Sequence, residues 1–276
     1  MDSAANTAEN AAAARASVFD RIVVGVDGSE PGFEAARQVR RLLAPRGWLE
    51  VFTAVHTVEA NRAGWSASRL AAEFEREGRE ALRRGLEIAG PNAKSRFVDG
   101  PPARCLLHEL QERETTLVAV GTHGHRRSAE ILIGGVCGEV LHRAPCSVLV
   151  ARQPPATAVF PGTIVAGFDG SPEGRAAVTT ARRLAERFGA SLSIVTALGG
   201  KDVDLDRARL EGALEVPEAP VAALVGASSG ADILVVGSRG LHGVRALGSV
   251  SERVAHSASS SVLVVRSPPT EATERG

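Results

Sequence analysis

The chain carries one pattern twice, and that repetition limits its fold more than any other feature. "RIVVGVDGSEPGFEAARQVRRLLA" begins at Arg21, and "TIVAGFDGSPEGRAAVTTARRLAERFGA" begins at Thr163. Each is an apolar run, then Asp-Gly-Ser, then a helical pattern. Farther on, "LVAVGTHGH" from Leu117 answers "ILVVGSRGL" from Ile233, and "GEVLHRAPCSVLVAR" from Gly138 answers "SERVAHSASSSVLVVR" from Ser251. Matched blocks in the same order mean two copies of one domain. The 276 residues and 44% hydrophobic content suffice for two cores. The Pro-rich stretch 153–162, "QPPATAVFPG", reads as the linker. The expected division is a disordered tail over 1–19, a first domain over 20–152, a shortened second domain over 163–267 and a tail over 268–276.

Runs such as "RIVVGV", "LEVFTAV" and "TLVAV" are apolar without alternation, as strands buried on both faces are. Helical patterns lie between them. Ser29 with Pro31, and Ser171 with Pro172, supply a cap and a first-turn proline for the first helix of each copy. Ala35, Val39 and Leu43 give the earlier of these one apolar face. Strands alternating with helices predict a doubly wound α/β sheet in each copy.

Composition narrows the partners. Lys plus Arg and Asp plus Glu both total 32, so no net field draws the chain to nucleic acid or anionic lipid. Cys105, Cys137 and Cys146 show no paired spacing, which argues against a disulfide framework and for a reducing, cytoplasmic setting. No apolar run approaches a membrane span, and the first residues lack the basic start and apolar stretch of a signal peptide.

From Arg21 to Arg266 the sequence resembles the universal stress protein family, in tandem. The resemblance rests on Val24 to Asp27 with Ser29, then Gly121 and Gly124, nine residues, and Gly134. In the second copy it rests on Asp169 with Ser171, then Gly237 and Gly240, and Gly248-Ser249. It implies five-stranded sheets of order 3-2-1-4-5, of the adenine-nucleotide α-hydrolase-like kind. It also implies pairing through the last strands, here "CSVLVAR" and "SVLVVR", as a pseudo-twofold monomer or as a homodimer. Some family members bind ATP and others do not. By resemblance, Asp27 or Asp169 lies near the adenine. Gly121, Gly124, Gly134 and Gly135, or Gly237, Gly240, Gly248, Ser249 and Ser251, lie near ribose and phosphates. Strand order of this kind also places ligands beyond the carboxyl ends of the strands, and glycines let backbone N–H groups approach a phosphate.

Each copy departs from the family pattern. In the first, Gly135 and Cys137 stand where the second keeps Ser249 and Ser251. Arg126, beside His125 and Arg127, could replace the lost hydroxyls by charge, or simply face solvent. In the second, only seven residues separate Gly240 from Gly248. Its Asp169 and Gly237 are 68 positions apart, against 94 between Asp27 and Gly121, so the long second helix has only a short substitute. The first copy is therefore the expected nucleotide binder, with ATP, with or without magnesium, as ligand.

Other chemistry is weakly signalled. "THGH", Thr122 to His125, matches a nucleotidyltransferase motif but follows the fourth apolar run rather than the first. His123 and His125 could open a metal site with Glu130 and His142, although no spacing motif joins them. Cys137 at a helix start could be an activated thiol or a small buried residue. No Walker pattern or nucleophile elbow occurs, and Lys94 and Lys201 are the only lysines. Three readings remain: a stress-response regulator acting by nucleotide occupancy, a purely structural or protein-interaction module, and a nucleotidyl-transfer or weakly ATP-hydrolysing enzyme.

Overall fold

The computed structural model describes residues 18–57, 67–122, 134–154, 160–200, 203–238 and 247–266. The first half runs β1 (Phe19–Gly25), α1 (Glu30–Leu42), β2 (Leu43–Val55), α2 (Ala67–Ala89), β3 (Lys94–Asp99), α3 (Pro102–Glu112), β4 (Leu117–Gly121), α4 (Gly135–Arg143) and β5 (Ser147–Ala151). The second runs β6 (Thr163–Gly167), α5 (Pro172–Phe188), β7 (Ser191–Ala197), α6 (Leu205–Leu210), β8 (Leu214–Val216), α7 (Pro220–Ala227), β9 (Ile233–Gly237), α8 (Ser249–Ser257) and β10 (Ser261–Val265). β1 starts one residue before the expected domain boundary, and its Phe19 is buried.

The ten strands of the described residues form one sheet of order β3-β2-β1-β4-β5-β10-β9-β6-β7-β8. Within each half every pair is parallel and the order is 3-2-1-4-5. The join is antiparallel, with Val262, Leu263 and Val264 of β10 opposite Val150, Leu149 and Val148 of β5. This is the expected pseudo-twofold packing through the last strands.

Two apolar layers line the sheet because successive strand residues point to opposite faces. Ile22, Val24, Leu117, Ala119, Leu149, Ile164, Ile233 and Leu263 meet α1, α2 and α5 on one face. Val23, Val118, Val148, Val150, Val165, Leu234 and Val262 meet α3, α4 and α8 on the other. Each layer runs unbroken through both halves. Strands covered on both faces have no use for alternation, which is why they read as continuous apolar runs.

The truncation of the second half takes a definite form. The 23-residue α2 is replaced by the six-residue α6, and the six-residue β3 by the three-residue β8. Among the described residues, no helix is long and apolar enough to cross a membrane.

The join carries reciprocal arginines. Arg152, just past β5, donates from its guanidinium to Ala255 O at 2.5 Å and Ser260 O at 3.3 Å, closing the end of α8. Arg266, just past β10, donates to Leu141 O in α4 at 2.5 Å. The backbone N–H of Arg152 donates to Ser261 Oγ and that of Arg266 to Ser147 Oγ, so each last strand is tied to the first residue of the other. Gln38 adds an asymmetric tie: its amide donates to Arg152 O at 2.8 Å and accepts from Ser261 Oγ at 2.9 Å. On the same face as Gln38, Arg187 of α5 donates to Leu42 O and Leu43 O at the end of α1. Last-turn carbonyls lack partners within their own helix, so a cation from the opposite half satisfies them and draws the halves together. Replacing Arg152 or Arg266 with alanine leaves buried carbonyls unpaired. Each variant is expected to lose about 2–3 kcal/mol in denaturant unfolding, whereas Arg143→Ala, which breaks an exposed pair with Glu139, is expected to lose under about 1 kcal/mol.

Candidate functional site

The sequence places Asp27 just past β1 and Asp169 just past β6, and both sit in the same local construction. Asp27 Oδ1 accepts from the backbone N–H of Ser29 at 3.1 Å and from its hydroxyl at 2.6 Å. Ser29 Oγ in turn accepts from Gly32 N at 3.2 Å, capping α1. The second half repeats this with Asp169, Ser171 and Gly174 at 3.0, 2.5 and 3.0 Å. Gly28 and Gly170 make the turn possible with φ of 88° and 87°, a region that favours glycine. The carboxylate therefore organises a helix N-terminus before it meets any ligand.

Two threonines hold the turn from the next strand. Thr53 of β2 donates to Val26 O at 2.9 Å, and Thr196 of β7 donates to Phe168 O at 2.9 Å. Both are buried. Sequence reasoning missed them, although "FTAV" and "VTAL" occupy matched places in the two copies.

Gly121 and Gly237 end β4 and β9 against these turns. A Cβ on Gly121 would lie 2.6 Å from Pro31 C and 2.7 Å from Gly32 N; one on Gly237 would lie 2.5 Å from Glu173 O. Both glycines thus let the first turn of α1 or α5 close onto the neighbouring strand. That close approach brings the carboxyl ends of β1 and β4 together at the point where strand order reverses, the usual ligand crevice of such sheets.

Gly134 N–H donates to Thr122 O at 2.6 Å and leads into α4. Gly134 and Gly248 cap α4 and α8 without any side-chain hydrogen bond, so among the described residues no cap side chain takes a first-turn donor of these helices. The hydroxyl of Ser251 is buried and donates to Gly237 O at 2.6 Å, where it pins the end of β9. Ser249 opens α8, as Gly135 opens α4. At the rim of the first half, Asp99 ends β3 and accepts from Thr57 N at 3.1 Å and Thr57 Oγ at 2.5 Å, which holds its carboxyl below the usual range.

The two halves differ above the turn. A Cβ built on Gly28 would meet only Ala81 of α2, at 3.5 Å. One on Gly170 would meet Asp204 Cβ at 2.3 Å, because the segment leading into α6 is seated on that turn. Asp204 N–H donates to Asp169 O at 3.1 Å, and Arg207 reaches Gly170 O at 3.4 Å. Asp204 also caps α6 through Arg207 N, and Ala208 anchors the helix in the core. Nothing in the spacing of "DVDLDRARL" signalled that this short substitute lies over Asp169.

Of its two readings, Cys137 is the small buried residue and not the activated thiol. It faces inward from α4, fully enclosed among apolar side chains, and burial pushes its thiol up to about 12. Desolvation outweighs any help from the helix start. Gly124, Arg126 and Gly240, with His123, His125, Arg127 and Glu130, lie outside the described residues. His142 pairs with Glu252 across the join at 3.1 Å, so it stands in an interface rather than in a metal shell. Among the described residues, no group of three His, Cys, Asp or Glu side chains could hold a metal ion. Burial also pushes Cys146 up to about 12, while Cys105 is only partly covered. In native protein a thiol reagent at mildly alkaline pH is expected to label Cys105 first, with Cys137 and Cys146 reacting only after denaturation, as peptide mapping would show.

The family model described as the universal stress protein family matches residues 19–152 and 211–266. The universal stress protein Rv2005c of Mycobacterium tuberculosis is 29% identical over 288 aligned positions, covering 89% of this chain and 96% of that protein. The universal stress protein MJ0531 of Methanocaldococcus jannaschii is 28% identical over 145, covering half of this chain and 84% of its own length. A crystal structure of a universal stress protein from Archaeoglobus fulgidus superposes with a TM-score of 0.68 at 19% identity, covering 91% of this chain and 98% of that one. This last likeness concerns the fold.

Proposed function

The chain belongs to the universal stress protein family, and we propose that it is an adenine-nucleotide-binding stress regulator whose working site is the crevice of its first half. The contrast between the two turns carries this reading. A Cβ on Gly28 would meet only Ala81 of α2, at 3.5 Å, whereas the turn at Gly170 is filled by Asp204 of its own chain. A ligand competing for the second turn would have to displace a capped helix; one entering the first would not. In the first half Asp27 would face the base, and Gly121, Gly134 and Gly135 would place the uncapped start of α4 against the phosphates. Gly124 and Arg126 would complete the phosphate side. Asp169, Gly237, Gly240, Gly248, Ser249 and Ser251 would form the second, self-filled counterpart.

ATP, with magnesium as counter-ion, is the proposed ligand, and occupancy rather than turnover is the proposed signal, read in the cytoplasm. Among the described residues, the usual lysine of phosphoryl transfer has no candidate near the site. Lys94 begins β3, at the end of the sheet opposite Asp27, and Lys201 stands in no Walker pattern and lies outside the described residues. Native mass spectrometry with ATP and magnesium tests the assignment. The wild-type chain is expected to take up one nucleotide, Asp27→Ala to take up none, and Asp169→Ala to keep it. Loss with Asp169→Ala but not with Asp27→Ala would reverse the assignment, and no uptake at all would favour the protein-interaction reading.

A further inference from the structure

The first half contains a buried polar cluster that the proposed site does not use. Glu50 lies in the middle of β2 on the face covered by α3, and Glu109 points at it from that helix. Both are buried, at 3% and 5% exposure. Both carboxyl groups face the guanidinium of Arg113. Arg113 donates to Glu109 Oε1 at 2.7 Å and stands 3.9 Å from Glu50 Oε2, with its guanidinium 5.7 Å above the Trp48 ring. Arg96 of β3 lies 3.3 Å from Glu109 Oε2.

The pairing is lopsided. Glu109 takes the guanidinium contacts, while Glu50 Oε1 is buried with no donor directed at it. Two ionised carboxylates facing one guanidinium, one with an unpartnered oxygen, are costly in a low-dielectric layer. A single proton held by the pair removes one charge and with it the repulsion. The remaining charges nearby are Lys94, in register with Glu50 on β3, Glu112 on α3, and Arg21 of β1, which donates to Arg113 O and pairs with Glu114. In the second half Ser193 stands at the position of Glu50, so the cluster has no counterpart there.

We propose that Glu50 and Glu109 hold one proton between them, and that its release weakens the contact of α3 with β2, making the first half a pH-responsive unit. Burial, and then the charge of Glu109, push the Glu50 carboxyl up to about 7. Burial alone would raise Glu109 too, but the bond from Arg113 and the charges of Arg96 and Arg113 bring it below its ordinary value. Glu109 therefore remains the ionised member. Unfolded, Glu50 titrates at its ordinary 4.5. Between that value and about 7 the folded chain keeps a proton that the unfolded chain has lost. Stability from Glu50 is thus greatest on the acid side and falls as pH rises through about 7. The depressed carboxyl of Glu109 acts oppositely, losing stability only as pH falls below the usual carboxylate range.

Denaturant unfolding of the full chain across pH tests the proposal. From about pH 5 to about pH 8 the unfolding constant of the wild-type chain is expected to rise by on the order of 10- to 100-fold, and that of Glu50→Gln by less than about 3-fold. An equal rise in both would overturn it. The carboxyl carbon signal of Glu50, followed by NMR in the wild-type chain, gives a readout that needs no folded variant. A midpoint near neutrality supports the shared proton, and a midpoint in the ordinary carboxylate range overturns it. Glu109→Gln is expected to move that midpoint down by removing the adjacent negative charge, and an unmoved midpoint would count against the pair.

Discussion

The antiparallel contact of β5 with β10 is the constraint on which the rest of the molecule depends. A parallel five-stranded sheet ends in a strand whose backbone groups need partners, and both halves end this way. Pairing the two last strands satisfies both edges at once and lets the apolar layers run through. The reciprocal arginines make the pairing specific. Each leaves its own strand and closes the last helix of the other half, so neither half completes its helix ends alone. Gln38 and Arg187 add contacts from the first helix of each half, on the face opposite α4 and α8.

With both halves held in one sheet, the second can lose material without losing its fold. Its inner strands β9 and β10 keep neighbours on both sides, and β6 and β7 inherit the same core. The shortening falls at the outer edge, where fewest contacts depend on it. Its effect is local but decisive for the turn at Asp169, because α6 is too short to wall a crevice and lies on the turn instead. The same fold thus leaves the turn at Gly28 in ordinary contact with α2 in one half and seats Asp204 on the turn at Gly170 in the other. The buried carboxyl pair makes a second asymmetry, again confined to the complete half.

Much of this was legible in the chain. The two caps at Ser29 and Ser171, the long α2, its short substitute and the family relationship all follow from local spacing and from the repeat. The arginines past the last strands, the Glu50–Glu109 pair and the seat of Asp204 were not legible. Each joins residues far apart in sequence, and no local pattern distinguishes an arginine that caps a distant helix from one that faces water. Cys137 shows the same limit: a helix-start position suggested activation, but only packing around it decides whether water reaches the sulfur.

By itself the sequence determined two copies of a parallel α/β unit, because apolar runs, capping serines and turn glycines act over a few residues and need no distant partner. The tertiary structure decided which turn is covered by the chain itself, where the halves lock together, and which carboxylates share an apolar layer. Those outcomes depend on the burial and approach of groups separated by tens of residues, and only the folded sheet brings them within a few ångströms of one another.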